Sequence, residues 1–501
     1  MAQVPTSRVL ALNSAPIRES GAYVLYWMMS ARRLRWNYAL QRAALHAARL
    51  KKPLLVFEPL RCGYRWAADR HHTFVLEGMR EHAKALSRGS TTYLPYVEPV
   101  AGAGQGLLEH LAARACVVVT DDYPAFFLPR AVAAVAPRLS VHLEAVDGNG
   151  ILPMRSTQRV FTTAHSFRAF LQKELPPHLA EAPDPDPLKG ARLPRLSLDP
   201  LEGSRWGRHD TTAPIETVVR GIAIDHEVGA VEIRGGARAG ACVVDRFFEE
   251  RLNRYATHRN DTEEEAASGL SPYLHFGVLS AHEIMHRVFR EADWDPARLG
   301  EDTRGSRSGW WGLSAASESF LDELITWREL GFNMCVRCPD TYDRYESLPS
   351  WAQRTLEVHA DDVRPHVYSL HALEAGETHD DVWNAAQRQL REEGRIHNYL
   401  RMLWGKKILE WSPTPRSALR RLLHLNNKWA LDGRDPNSYS GVFWTLGRYD
   451  RAWGPERAIF GKIRFMSSDS TRRKLKLKGY FARYGAEAGR AKQGTLPLCD
   501  G

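Results

Sequence analysis

The residues most open to chemistry fall in the second half of the 501-residue chain. Ser268, Gly269 and Ser271 stand just ahead of a helical pattern, where backbone amides and hydroxyls can bind phosphate; a capped turn uses the same residues. Glu323 lies on an apolar helix four residues before Trp327, so the two side chains point the same way. A carboxylate there is costly if it is buried without a partner. Trp404 and Trp411 are seven residues apart in one predicted helix, which sets their rings on one face about 10 Å apart along the axis. A core stripe has that spacing too. Cys335 and Cys338 have metal or redox spacing, but no second Cys or His pair stands nearby. Zinc and iron–sulfur sites need about four ligands, so the pair reads as structural.

Two kinds of pattern must position these groups. From Tyr23 to about Gly148, short apolar runs at 23–27, 53–57, 92–97, 116–120 and 141–146 alternate with helical stretches reaching Leu50 and covering 71–87, 104–114 and 125–136. Strands alternating with helices predict a doubly wound parallel α/β sheet, with a ligand at its C-terminal edge. Gly102–Gly106 is glycine-rich but does not follow the first strand, so it reads as a loop and not as a dinucleotide fingerprint. Prolines crowd 176–240, the mark of an extended connector. Beyond Val243 the period turns helical, over 247–255, 280–290, 319–332, 383–390, 397–411 and 418–425, with Ser280 and Glu283 placed to cap one start. The fold class is thus an α/β domain followed by an all-α domain.

Composition excludes several classes. No apolar run reaches the roughly 18 to 20 residues of a membrane span, and the first residues lack a signal-peptide core. Six scattered cysteines fit a reducing cytoplasm, not a disulfide framework. Lys+Arg 68 against Asp+Glu 59 gives a net charge of +9, a mild bias toward a polyanion that a bland basic surface also produces. Of 15 tryptophans, ten lie at or after Trp310, a concentration that points at the helical half.

The order of motifs carries more. Tyr255 followed by SGLSPYLHFG at 268–277 resembles the FAD diphosphate segment of the photolyase/cryptochrome family. FLDELITWREL at 320–330 looks like that family's substrate-contacting helix. THDDVWNAAQ at 378–387, RIHNYLRM at 395–402 and LDGRDPN at 431–437 are similar to its flavin-pocket segments. With WGKKILEW at 404–411 and FGKIR at 460–464, the wording is closest to class II cyclobutane pyrimidine dimer photolyases, and it runs from about residue 22 to 480.

The resemblance implies light-driven repair of pyrimidine dimers in DNA by electron transfer from reduced FAD. It assigns Tyr255, Ser268, Gly269, Leu270 and Ser271 to the diphosphate, and Asn398 to the flavin pocket. Arg401 and Asp432 become an ion pair beside the flavin, and Asn437 the amide facing flavin N5. Trp383, Trp404 and Trp411 correspond to the electron-transfer tryptophans, with the order of hops open. Glu323 would hydrogen-bond the lesion, Trp327 would wall it, and Trp453, Lys462 and Arg464 would face the DNA. An antenna chromophore such as a deazaflavin is an optional partner of the α/β domain. The rivals are a cryptochrome-like photoreceptor and a (6-4) photolyase, the latter expected to use histidines such as His275 or His397.

The implied layout is an α/β domain at 22–155, a Pro-rich connector at 156–240, a helical FAD domain at 241–480 and a basic flexible tail at 481–501, in a monomer bound to UV-damaged DNA. Two departures from the family pattern stand out. Residues 294–317, with SRSGWWGLSAAS, read as an extra surface loop, and 447–450 reads Gly-Arg-Tyr-Asp where Gly-Val-His-Asp is frequent.

Overall fold

The computed structural model describes residues 2–488. Its first half is built on a six-stranded sheet in the order β1-β6-β5-β2-β3-β4. The strands are β1 Val9–Ala11, β2 Tyr23–Trp27, β3 Leu54–Leu60, β4 Thr92–Val97, β5 Ala115–Asp121 and β6 Leu143–Val146. All neighbours pair in parallel except β1, which runs antiparallel to β6. β1 has no counterpart in the sequence pattern, because three residues are too few to display a period. Every residue of β2 and β5 is buried, as expected of central strands covered by helices on both faces.

Chain order runs β2-β3-β4 to one side and β5-β6 to the other. The direction therefore reverses between β2 and β5, and a crevice opens there at the strands' C-terminal ends. Asp121, at the end of β5, fixes one rim: its carboxylate accepts from the backbone N–H groups of Met29, Ser30 and Ala31, at 2.8, 2.8 and 3.0 Å. The glycine-rich loop after β4 already holds an anion of its own. Gly102 and Gly104 donate to the Glu98 carboxylate at 3.0 and 3.2 Å, so its amides are committed within the protein.

The region expected to be a connector begins with a packed helix, Ala164–Glu174. Its Phe167 and Leu171 enter the helical core, and Arg168 pairs with Asp322 at 2.7 Å. Connector character starts at Pro176. From there the chain covers the β4 edge, where His209 N–H donates to the Pro95 carbonyl at 3.0 Å. Residues 294–317, read from sequence as a surface loop, are irregular but anchored. Trp294 stacks on Phe289 at 4.0 Å, Trp310 and Trp311 are buried, and Gly305 N–H donates to Gln172.

The second half is helical and shares one large apolar cluster. It is tied to the α/β half by buried charges. Arg70 donates to the Trp429 and Arg391 carbonyls at 2.6 and 2.8 Å, satisfying carbonyls at two helix ends. Glu329 accepts from Ile151 and Leu152 N–H, and Arg328 donates to the Asn149 carbonyl at 2.6 Å. The helical segment that carries Glu323 and Trp327 is thus fixed to the loop leaving β6.

At the C-terminal end the packed chain passes the expected boundary at 480. The helix Lys478–Tyr484 buries Tyr480 and Tyr484, and the Tyr480 hydroxyl donates to Gln389 at 2.8 Å. Of the expected tail, 489–501 lie outside the described residues. Among the described residues no helix is long and apolar enough to cross a membrane.

Candidate functional site

A cleft of about 2810 Å³ opens in the helical half. Asp322–Trp327 forms one wall and is wound as a π-helix, a local irregularity that often accompanies function. Glu323 and Trp327 both face the cleft, as their spacing predicts. Glu323 pairs with Arg259 at 2.7 Å, and its side chain remains 36% exposed. Enclosure by the cleft walls raises its carboxyl above the ordinary carboxylate range, while Arg259 pulls the other way. Arg259 in turn lies 5.3 Å over the ring of Tyr255. Tyr255 itself is buried edge-on against Phe247 and Phe320, as part of the floor beneath Arg259.

The opposite wall comes from the helix Asn398–Glu410, the helix Pro436–Trp444 and the loop after it. Asn398, Arg401 and Asn437 line the cleft. Arg401 meets Asp432 at 3.4 Å. Asn437 is exposed at the start of its helix, whose N-cap Asp435 accepts the Asn437 N–H at 2.8 Å. Asp450 organises the loop. It accepts from Trp453 Nε1 at 3.1 Å and from Arg464 at 2.9 Å, and the Arg464 guanidinium stacks 3.9 Å over the Trp453 ring. Trp453 and Arg464 face the cleft; Lys462 is exposed, 3.6 Å from Glu456. The departure at 447–450 leaves Asp450 in place. Arg448 turns inward, 3.6 Å over Phe443, and Tyr449 lines the cleft.

Behind the wall, the three tryptophans form a chain. Trp383 and Trp404 are parallel, with centroids 6.4 Å apart and planes at 1°, and Trp383 meets Trp411 edge-on at 5.4 Å. The order in space is 404, 383, 411, with the middle ring supplied by a different helix. All three are buried. Trp383 Nε1 donates to the Trp404 carbonyl at 3.0 Å and Trp404 Nε1 to Gln387 at 2.9 Å.

A second cavity, of about 850 Å³, lies at the strand-order reversal between the two halves. Trp27 and Leu60 come from the sheet, Met29 from the loop after β2, Phe126 and Phe127 from the segment after β5, and His275, Phe276 and Arg434 from the helical half. The motif at 431–437 therefore stands between the two spaces, while the end of the motif at 268–277, at His275 and Phe276, lines the second alone. Arg434 faces the second cavity while Asn437, three residues on, faces the first. Gly277 permits this closeness: at φ +69°, a Cβ on it would fall 1.8 Å from the Ser30 carbonyl oxygen. Ser268, Gly269, Leu270 and Ser271 are not among the residues lining the large cleft. Leu270 is buried, only 1% exposed.

Sequence reasoning missed Arg259 and Arg307, which add positive charge to the cleft, and Trp444, Tyr449 and Lys474 along its rim. Arg259 sits four residues after Tyr255 and was legible as its helical neighbour; the others are brought in by long-range packing. Cys335 is buried, which pushes its thiol well above the usual range, and Cys338 is half-buried.

A DNA photolyase family model matches residues 24–187. The chain is 34% identical over 482 residues to the deoxyribodipyrimidine photo-lyase of Methanothermobacter thermautotrophicus, covering 96% of this chain and 98% of that one. It is 34% identical over 478 residues to the deoxyribodipyrimidine photo-lyase of Arabidopsis thaliana, covering 93% and 90%. Among solved structures, a bacterial class III photolyase from Agrobacterium tumefaciens superposes with a TM-score of 0.67 at 15% identity, over 93% of this chain and 86% of that one. A Synechocystis cryptochrome gives 0.66 at 15% identity, over 97% and 90%. At that identity the two structures share the fold.

Proposed function

The chain belongs to the DNA photolyase family, and on that footing we propose that it repairs cyclobutane pyrimidine dimers in DNA by light-driven electron transfer, as a class II enzyme with FAD in the large cleft. The observation that carries this reading is one space that holds Glu323, Trp327, Asn437 and Trp453 together, with a buried tryptophan chain behind it.

The cleft suits the cofactor. Its lining supplies both cations and neutral polar groups. Arg259, Arg307 and Lys474 offer cations to phosphate, and Arg401, Asp432 and Asn437 offer polar partners to a flavin ring. When bound, FAD supplies a light-excitable one-electron donor.

The protein's own groups do the rest. Glu323, held in place by Arg259, can hydrogen-bond a pyrimidine turned into the cleft and bear on the charge that develops there. Trp327 and Trp453 offer flat apolar surfaces to bases turned out of the stack. Arg464, and Lys462 outside the cleft, would neutralise backbone phosphates. Trp404, Trp383 and Trp411 form a dry route along which electrons can enter from the far side. The second cavity, aromatic and rimmed by Arg32, Arg61 and Arg434, is the place for an antenna chromophore of the deazaflavin class. His275 lines that second cavity and His397 is not among the residues lining the large cleft, so neither supports the (6-4) alternative.

The test is anaerobic. Purified protein with its flavin reduced is mixed with an oligonucleotide bearing one thymine dimer, and recovery of ultraviolet absorbance under blue light is compared with a dark control. Light-dependent recovery is expected, with a lower yield in Glu323→Ala at unchanged flavin content. No recovery in the wild type, with flavin bound and reduced, would move the assignment to photoreception or another lesion.

A further inference from the structure

The segment 294–317 carries three arginines, and two of them are engaged within it. Arg298 donates to the Ala292 and Gly312 carbonyls at 3.0 and 2.7 Å, and Arg304 pairs with Asp302 at 2.8 Å. Arg307 has no hydrogen bond or ion pair among the described residues, and it stands, with Ser308, where the large cleft meets water. The turn that carries it is held on both sides. Gly305 N–H donates to Gln172 at 2.8 Å, Gln172 donates in turn to the Ser306 carbonyl at 2.9 Å, and Gly309 N–H donates to the Glu318 carboxylate. At φ +92°, Gly305 lies so close to the helix Ala164–Glu174 that a Cβ would fall 2.7 Å from the His165 carbonyl oxygen. Arg168 of that helix donates to the Gly305 carbonyl and pairs with Asp322, the residue before Glu323, so one side chain fixes both the turn and the cleft wall. The carboxylates of that wall are already occupied. Glu318 is buried and accepts from Gly309 and Leu313 N–H, Asp322 is taken by Arg168, and Glu323 by Arg259. Arg307 is thus a cation without a counter-ion on its own wall.

We infer that Arg307 is a DNA-phosphate contact: the turn at 305–309 presents its guanidinium to the backbone of the strand whose bases turn into the cleft. This rests on the reading of the cleft as the site of DNA repair. An exposed, unpaired guanidinium meets a polyanion arriving from water and can give a phosphate two parallel N–H donors. The segment that the family resemblance assigns to the cofactor's diphosphate, 268–271, does not line the space where Arg307 stands, so the strand and not the cofactor supplies the phosphate. Because the turn is anchored before DNA arrives, the contact orders one side chain and no backbone. It reads no base, so it acts on register and affinity and not on sequence. The same anchoring sets the phosphate's distance from Glu323 and Trp327, which share the wall with the turn.

The test uses the full-length holoenzyme in the dark and a duplex with one central thymine dimer, with binding followed by fluorescence anisotropy over a series of salt concentrations. Arg307→Gln should bind about 3- to 10-fold more weakly at low salt, and its salt slope should fall by about 0.9, the loss of one phosphate contact. Arg307→Lys should keep the slope, because the charge remains, and Arg304→Gln should change neither quantity. Neutral methylphosphonate linkages, placed one at a time along the lesion strand, locate the contact. One linkage should weaken the wild type and leave Arg307→Gln unaffected. An unchanged slope in Arg307→Gln with its flavin retained, or no linkage at which the two proteins differ, would overturn the contact. Flavin lost from Arg307→Gln, with a normal slope once FAD is restored, would give the arginine to the cofactor's phosphates and overturn it equally. A wild type that binds neither damaged nor undamaged duplex would overturn the repair reading itself, and this inference with it.

Discussion

Lys406 offers the sharpest quantitative test of how the cleft wall is held. Its side chain is wholly buried; Nζ donates to the Thr445 carbonyl at 2.7 Å and stands 4.8 Å over the Trp444 ring. Among the described residues no carboxylate lies within ion-pairing distance of it, and Asp450 is taken by Arg464 at 2.9 Å. Burial therefore lowers its pKa from 10.5 to about 7. At about 1.4 kcal/mol per pH unit, the gap between those values corresponds to about 5 kcal/mol. The sign follows from proton counting. Between the two values the unfolded chain holds a proton that the folded chain lacks, so stability rises with pH across that window, and the full cost stands below about pH 7.

Lys406→Met keeps the packed stem, removes the amine and leaves the Thr445 carbonyl unpaired, which costs about 1–3 kcal/mol. The variant should be more stable than wild type by about 2–4 kcal/mol near pH 6 and level or slightly worse near pH 9.5, where the wild-type cost has fallen to about 1.4 kcal/mol. Urea unfolding at a series of pH values, comparing the two proteins at each, reads this directly. Groups common to both cancel, so the difference should change by about 1.4 kcal/mol per pH unit above pH 7. A flat difference would mean that Lys406 keeps an ordinary pKa, and the burial argument would fail.

Three further outcomes are expected. Trp383→Phe replaces the oxidisable indole between Trp404 and Trp411 with a phenyl ring; photoreduction of oxidised flavin should slow sharply, while repair by chemically reduced protein stays intact. Gly331→Ala would set a Cβ 2.6 Å from the Pro436 carbonyl oxygen and 2.8 Å from Ser440 Oγ, forcing the helix Pro436–Trp444 outward. The cost should be about 1–3 kcal/mol in thermal unfolding, with flavin lost more readily on gel filtration. Lys462→Ala should weaken binding to undamaged and damaged duplex alike and lower the salt dependence of binding by about one phosphate contact.

How much of this was legible in the chain depends on the range of the interaction concerned. Alternating runs at 23–27, 53–57, 92–97 and 116–120 were enough for the α/β half, since buried parallel strands and their helices write their periods locally. The edge strand Val9–Ala11 and the anchoring of 294–317 were not visible, the one too short for a period and the other held by tryptophans packing against Phe289.

At the site, Glu323 and Trp327 share the cleft because four residues along a helical wall place them so, a local rule written in the chain. The types and spacing of Trp404 and Trp411 were likewise written there. That Trp383 lies between them was decided by the packing of two helices, because side chains of separate elements interleave only when the core closes. The pairing of Arg259 with Glu323, the burial of Lys406 without a counter-ion, and the placement of Arg434 and Asn437 in different cavities all belong to the tertiary structure. Each joins residues far apart in the chain or divides neighbours between two spaces, and the desolvation and charge that define such a site exist only once the two halves have packed together.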